Sequence, residues 1–227
     1  MANRPFFYLD SNTKVRSRTL DFEWFPGFSV QQKQKSIISL HQSITQNGFD
    51  NVLEVSSKSL LSLGVQLSAF NLNIKIPQTD IYCSVESAFQ GSKVFKKGGP
   101  FNHLFGQDAR TARSTIKSAN LGALIGFDFG QGLFPLKPVT AFYDWLYVNA
   151  ILQNSHLHSQ LIKFDAFTDI EFNPKKSFNC QAFSSALFVS IYRDIDLTTD
   201  LPFDHLCQFY PTKHNDTPPL LVQNELF

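Results

Sequence analysis

Apolar and polar positions first alternate at Leu20, Phe22 and Trp24, with Asp21 and Glu23 between them, which predicts a half-buried strand. Phe25-Pro26-Gly27 breaks it. The period then becomes helical: Ile37, Leu40, His41 and Ile44 share one face, Ser29 with Gln32 offers a capping box, and Asn47-Gly48 stops the helix. Val52 to Val55 is a short strand candidate. The run over 67–76 is apolar and partly β-branched, and Pro77 ends it. Ser84 can cap a helix over 85–95, closed by Gly98-Gly99-Pro100. Further helices are predicted over 109–118, from Pro138 and Thr140 through Phe142, Trp145, Leu146 and Ile151, and around 160–164. The apolar run 184–192 fits helix or strand; the capping-type Asn-Cys-Gln before it favours helix. After Thr198 there are four prolines and no period, which predicts an irregular tail.

Helices dominate this pattern and strands are few and short. It predicts an α+β class, mostly helical, rather than a regular doubly wound sheet. The 227 residues suit one compact domain, divided into an N-terminal elaboration (1–65), a core (66–192) and the tail (193–227).

Composition narrows the picture. The 43% hydrophobic content supports a sizeable core, and 24 Phe against one Met supply rings that pack or hold a nucleobase. A formal net charge of +1 excludes a molecule-wide electrostatic clamp on nucleic acid, leaving only local basic stripes. Cys83, Cys180 and Cys207 form no CxxC pair and read as free thiols in a reducing compartment. No secretory h-region follows Met1, and no stretch approaches the ~18 apolar residues of a membrane span. A soluble, cytoplasmic protein is expected.

The segment from Ser84 to Phe95 carries the most chemistry. On a helix of about 3.6 residues per turn, Glu86, Gln90 and Lys93 fall on one stripe, with Val85, Ala88, Phe89, Ser92 and Phe95 on the packed face. Such a stripe lines a pocket or is simply a solvated face with helical spacing.

This segment resembles the helix motif of the NADAR (YbiA-like) family, a Glu-His-x-aromatic-Gln element followed shortly by Lys and a hydrophobic residue. Glu86, Phe89, Gln90 and Lys93 match, and Ser87 stands where the His is usual. Upstream, Leu67-Ser68-Ala69-Phe70-Asn71 is similar to the family's Leu-Ser-Asn-Phe segment, with Ala69 replacing its Asn. Downstream, the stretch from Phe167 to Asn179 resembles the family's C-terminal element. Asp169 and Asn179 correspond there, Phe172-Asn173 replaces Trp-Gly, and the Leu-Gly after the Asn is missing. The segment before Val65, with Trp24-Phe25-Pro26-Gly27-Phe28 and Gln32-Lys33-Gln34-Lys35, looks like the subgroup found beside DarT-type toxins, which ADP-ribosylate guanine in DNA.

The resemblance implies an N-glycosidic hydrolase that removes ADP-ribose from guanine bases in DNA and acts as the antitoxin to a toxin encoded nearby. It implies Lys93 as nucleophile, Glu86 as proton shuttle, and Asp169 orienting the ribose hydroxyls or the amine. The chemistry suits these types. Breaking a ribosyl C–N bond builds cationic character at the anomeric carbon, which a carboxylate stabilises or an amine traps as a Schiff base. The plainer alternatives are a lysine paired with a carboxylate and an aspartate capping a turn. Ser68, Phe70, Asn71, Phe89, Gln90 and Asn179 would line the substrate site. The phosphates need positive charge, for which Arg110 and Arg113 (with Lys117 on the same face) and Lys176 beside Lys175 are candidates, unless they are solvated basic faces. Phe70, Phe89, Trp24 and Tyr143 could stack a base, although aromatic residues more often serve the core.

No cofactor and no metal site is expected. His156 and His158 miss the helical metal spacing, the glycine-rich stretch 126–132 fits no phosphate-binding pattern, and Cys180 has no paired base in the sequence. Two other functions stay open: hydrolysis of a small N-glycoside such as a riboflavin-pathway intermediate, and a non-catalytic role as ADP-ribose reader or toxin-masking protein.

Overall fold

A computed structural model describes residues 1–107, 111, 114–116, 120–194 and 200–210. Along the chain run β1 (Ala2–Leu9), β2 (Val15–Phe22), α1 (Val30–Gln46), β3 (Val52–Glu54) and α2 (Ser62–Gln66). There follow β4 (Asn73–Lys75), β5 (Tyr82–Ser84), α3 (Val85–Gly91), β6 (Lys93–Phe95), β7 (Leu124–Asp128), β8 (Leu133–Phe134) and α4 (Ala141–Gln153). The described part closes with α5 (His158–Leu161), β9 (Ala166–Thr168), α6 (Gln181–Asp194) and α7 (Phe203–Cys207). The class is α+β. The elements fall into two compact units, 1–68 with 155–194 and 69–154 with 200–210.

The first unit is built on a four-stranded sheet of order β2-β1-β9-β3. β9 runs antiparallel to β1 and parallel to β3. Neighbouring side chains of a strand point to opposite faces, and in β1 both faces are covered. Phe6 joins Ile37, Leu40 and Ile44 of α1, together with Ala166 and Ile170. Phe7 meets Phe183 of α6 edge-on at 5.6 Å. Each such buried side chain contributes about 2 kcal/mol. α1 starts and stops where its sequence signals place it: Ser29 Oγ accepts the Gln32 N–H at 3.3 Å, and Asn47 is the C-cap before Gly48 at φ +91°. β1 has no counterpart in the sequence reading, because the run Pro5-Phe6-Phe7 is buried on both faces and does not alternate. β2 ends at Phe22, so Trp24 lies beyond the strand predicted for it.

The second unit packs around α4, in which every residue from Ala141 to Ile151 is buried. Phe142 stacks on Phe127 of β7 at 4.5 Å and approaches Phe134 of β8 at 5.1 Å, and Phe134 lies 4.8 Å from Trp145. The sheet order is β6-β7-β8. The glycine-rich stretch 126–132 makes the β7–β8 turn. Asp128 Oδ1 accepts the N–H of Gly130 (2.8 Å) and of Gly132 (3.3 Å), both at positive φ.

Four expectations are corrected. The helix expected over 85–95 ends at Gly91. A Cβ at Gly91 would lie 2.5 Å from the Phe105 ring; Ser92 Oγ turns back to Ala88 O (2.7 Å), and Ser92 O accepts the Asp128 N–H (2.7 Å). The chain is thereby committed to pairing with β7. The apolar run 67–76 yields only the strand Asn73–Lys75, the rest being turn and loop. The helix expected around 160–164 sits earlier, at His158–Leu161. The tail expected to be irregular contains α7, anchored because Asn149 Oδ1 accepts the Leu201 N–H at 2.7 Å and Trp145 Nε1 donates to Leu201 O at 2.7 Å. The helix expected over 109–118 lies largely outside the described residues; Thr111 and 114–116 are helical.

Candidate functional site

In the second unit, Ser84 Oγ caps α3 by accepting the Ser87 N–H at 3.2 Å. Its first turn presents Glu86, half-buried, whose N–H donates to Ala69 O at 2.9 Å. Two of the family-like segments, the one ending in Phe70-Asn71 and the one in α3, are therefore hydrogen-bonded to each other. One turn on, the buried Gln90 donates Nε2–H to Glu86 Oε1 at 2.9 Å. The amide fixes the carboxylate rotamer and leaves the other oxygen for chemistry. Lys93 is not on this helical stripe. It opens β6, and its Nζ lies 5.1 Å from the centre of the Phe89 ring. A half-buried amine held over an aromatic face, and a carboxylate clamped by an amide on the preceding helix, are groups able to attack a carbon and to move a proton.

Phe89 is itself half-buried in aromatic packing. Phe127 stacks on it at 5.3 Å and Tyr143 meets it edge-on at 5.3 Å, so its packing offers Lys93 a support rather than a base a platform. Phe70, 57% exposed, is the candidate ring with a free face. Asn71 is exposed as well. A cleft of about 750 Å³ in this unit is lined by Phe129, Phe134, Trp145, Asn149 and Gln153 but by none of Glu86, Gln90 and Lys93. Its amides already hold the Leu201 and Lys75 N–H groups.

In the first unit, Asp169 follows β9 and is buried. Oδ1 accepts the N–H groups of Glu171 (3.0 Å) and Phe172 (3.2 Å), and Oδ2 accepts Gln181 Nε2–H (3.1 Å). Asp169 does cap a turn, but in a setting no surface turn provides. Burial pushes its carboxyl up to about 8, and the neighbouring Glu54 charge adds to the rise. Sequence reasoning missed Glu54. It is buried at the end of β3 and accepts the Ile170 N–H (2.9 Å) and the Thr168 O–H (2.6 Å). Burial raises its proton affinity, opposed by these donors and by Ser56. His41 Nε2 reaches Thr168 Oγ1 at 2.9 Å, and burial lowers its pKa to about 4. Around the same carboxyls, Lys33 pairs with Glu171 at 3.2 Å, and Arg4 and Lys33 both lie over the Trp24 ring, at 5.4 and 4.9 Å. The one available signal was a carboxylate between Leu53 and Val55 in an apolar strand.

Of the remaining candidates, Ser68 is fully buried, and its hydroxyl has no hydrogen-bond partner among the described residues. Lys176 is exposed and Asn179 half-buried. Arg110 and Arg113 lie outside the described residues, as does Lys117. His158 packs against Phe188 and Tyr192, a core role, and Cys180 is buried. No helix among the described residues is long and apolar enough to cross a membrane.

A family model described as DarT1-associated NADAR antitoxin matches residues 2–216. The chain belongs to that family. The match runs through β1, β2 and α1 as well as through the segments that carry Glu86, Lys93 and Asp169. No curated protein matches the chain.

Proposed function

We propose that this NADAR antitoxin is a glycohydrolase that removes ADP-ribose from guanine bases in DNA and so reverses the mark of its toxin. The observation that carries the reading is the α3–β6 junction. Within eight residues there, the motif-matching Glu86, Gln90 and Lys93 supply a carboxylate clamped by an amide and an amine supported on an aromatic face. A binding protein needs neither.

The Lys93 amine attacks the anomeric carbon of the ribose. The C–N bond to guanine breaks, its electron pair leaves with the base, and a proton reaches the base nitrogen from Glu86. The attached nitrogen returns one proton to Glu86, which passes it to the ring oxygen as the ring opens to a protonated Schiff base, and water hydrolyses this to free ADP-ribose and lysine. Gln90 keeps Glu86 in place. Phe70 and Asn71 lie next to Ala69, which is bonded to Glu86, and are suited to contact the nucleotide; Ser68, Lys176 and Asn179 complete the candidate binding set, with Arg110 and Arg113 for the phosphates. Asp169 orients ribose hydroxyls or the amine.

The test is incubation with an oligonucleotide carrying ADP-ribose on guanine, with and without chelator, beside Lys93→Ala and Glu86→Ala. Release of ADP-ribose by wild type alone supports the reading, and its persistence in chelator supports a metal-independent reaction. Tight ADP-ribose binding without release would replace it with a reader or a masking antitoxin.

A further inference from the structure

The buried network of the first unit contains more than Asp169. Glu54 and Thr168 sit directly opposite each other in the parallel pair β3–β9, so their side chains share one face of the sheet. α1 lays His41 on that face. The result is a chain of hydrogen-bonding atoms: His41 Nε2 to Thr168 Oγ1 at 2.9 Å, and Thr168 Oγ1 to Glu54 Oε2 at 2.6 Å. His41 is the only member with appreciable exposure; Thr168 is fully buried and Glu54 is 2% exposed. Each link can run either way, since a hydroxyl donates one bond while accepting another and imidazole has two tautomers.

We infer that His41, Thr168 and Glu54 form a proton wire that sets the charge of Asp169, acting as positioning residues for the glycohydrolase reaction. The inference rests on the proposed function, because it assigns Asp169 to that reaction.

The proton count closes. In one state His41 Nε2–H donates to Thr168, Thr168 O–H donates to Glu54, and Glu54 is a carboxylate. A proton taken up at His41 Nδ1 lets Nε2–H pass to Thr168 Oγ1 as the Thr168 proton passes to Glu54 Oε2. His41 ends neutral with its proton on Nδ1, and Glu54 ends as a carboxylic acid donating to Thr168. The reverse sequence returns the proton. Glu54 Oε1 accepts the N–H of Ile170, the residue after Asp169, and two neighbouring buried carboxyls resist ionising together, so a proton on Glu54 lets Asp169 stay charged, and its loss drives Asp169 to hold one. Burial favours the proton at the inner end, since it depresses His41 and raises both carboxyls. The other charges facing the pair are Glu171, which opposes ionisation of Glu54, and Arg4 of β1, which attracts both Asp169 and Glu171. Lys33 of α1 is engaged by Glu171.

The test is the titration of isotope-labelled aspartate carboxyls in the whole protein, which needs no substrate, beside the pH profile of ADP-ribose release. Thr168→Val removes the middle link at nearly constant volume. Glu54 loses a donor and holds its proton more tightly, so the Asp169 titration moves down by about one pH unit, a tenfold change in proton affinity. Thr168→Ser restores it. His41→Gln still donates to Thr168 but cannot pass a proton, so it lowers kcat with KM unchanged. An Asp169 titration unmoved by Thr168→Val in a folded protein overturns the wire, as does a His41→Gln enzyme with wild-type kcat across the profile. A wild type that titrates as expected yet releases no ADP-ribose would sink the proposed function instead, leaving the coupling of Glu54 and Asp169 standing.

Discussion

The two units of this antitoxin hold their reactive groups in opposite ways. At the α3–β6 junction of the second unit, Glu86 and Lys93 are half-buried, and neighbours in sequence hold them: a residue one helical turn away and a ring four residues back. In the first unit Glu54 and Asp169 are buried and each accepts several donors, Glu54 from Thr168 and Ile170, more than a hundred positions along the chain, and Asp169 from its own turn and from Gln181. The difference separates reactivity from order. A side chain that must meet a substrate keeps an open edge. A side chain whose proton moves only along a chain of hydrogen bonds is enclosed and saturated with partners. Substitutions at the first place should cost activity with little stability, and at the second they should cost stability as well.

The largest expected effect breaks the comparison at Lys93. Lys93→Arg keeps a cation over Phe89 but replaces the amine with a group that forms no Schiff base. ADP-ribose release should fall by about a thousandfold or more, as when a covalent nucleophile is removed, with an unchanged urea midpoint. An arginine variant that keeps most of the activity would make Lys93 a charge rather than a nucleophile.

Next comes Glu54→Ala. It leaves the Thr168 O–H and Ile170 N–H facing a cavity without an acceptor. A loss of about 2–3 kcal/mol in unfolding free energy is expected, against under about 1 kcal/mol for Glu86→Ala at a half-buried position. Urea unfolding of both variants reads the difference directly. Equal losses would remove the distinction between an enclosed and an open site.

These two sites were not equally legible in the sequence. Glu86, Phe89, Gln90 and Lys93 lie within eight residues, so their motif survives in one line of text. Even so, the helical stripe was the wrong geometry: the contact of Gly91 with Phe105, a residue fourteen positions on, ends the helix before Lys93. The network of the first unit joins α1, β3 and β9, and the bond from His41 to Thr168 spans 127 positions. Local periodicity reads His41 as one more member of the buried face of α1 and Glu54 as a polar interruption of a strand. Only the parallel pairing of β3 with β9 makes them partners, and no window of the sequence contains it. Elements with strong local signals, such as α1 with its Ser29 cap and the apolar α4, were placed correctly for the same reason.

The pH dependence of stability sharpens the comparison further. Asp169 has its pKa raised to about 8, above the ~4 of an unfolded carboxyl. The folded state therefore binds this proton more tightly, and the contribution is complete below pH ~4 and lost as pH rises toward 8. Glu54 shifts in the same direction. His41 is lowered to about 4 from an unfolded value of ~6.5, so it penalises the folded state as pH falls across that window. Above pH ~6.5 only the carboxyl pair acts, and stability should decline by about 1 kcal/mol per pH unit up to pH 8. Urea unfolding at several pH values should show this slope in wild type and lose at least half of it in Asp169→Asn. A flat wild-type profile would mean that both carboxyls are ionised in the fold.

The smallest effect concerns one device used in both units. Ser29 and Ser84 are each the N-cap of a helix, accepting the N–H three residues on at 3.3 and 3.2 Å. Replacing either by alanine should lower stability by about 1 kcal/mol. The consequences for activity should differ. The cap of α1 is exposed and stands twelve residues before the network member His41, along a seventeen-residue helix. The cap of α3 lies two residues before Glu86, and its own O–H donates to Ser87 Oγ at 2.9 Å, which in turn donates to Gln107 O at 3.0 Å. Ser84→Ala loosens the turn that presents Glu86, so ADP-ribose release should fall roughly threefold to tenfold through misplacement of the carboxylate, while Ser29→Ala releases ADP-ribose at the wild-type rate. If both variants lose stability alone, Glu86 is held in place by Gln90 and the Ala69 carbonyl rather than by the cap of its helix.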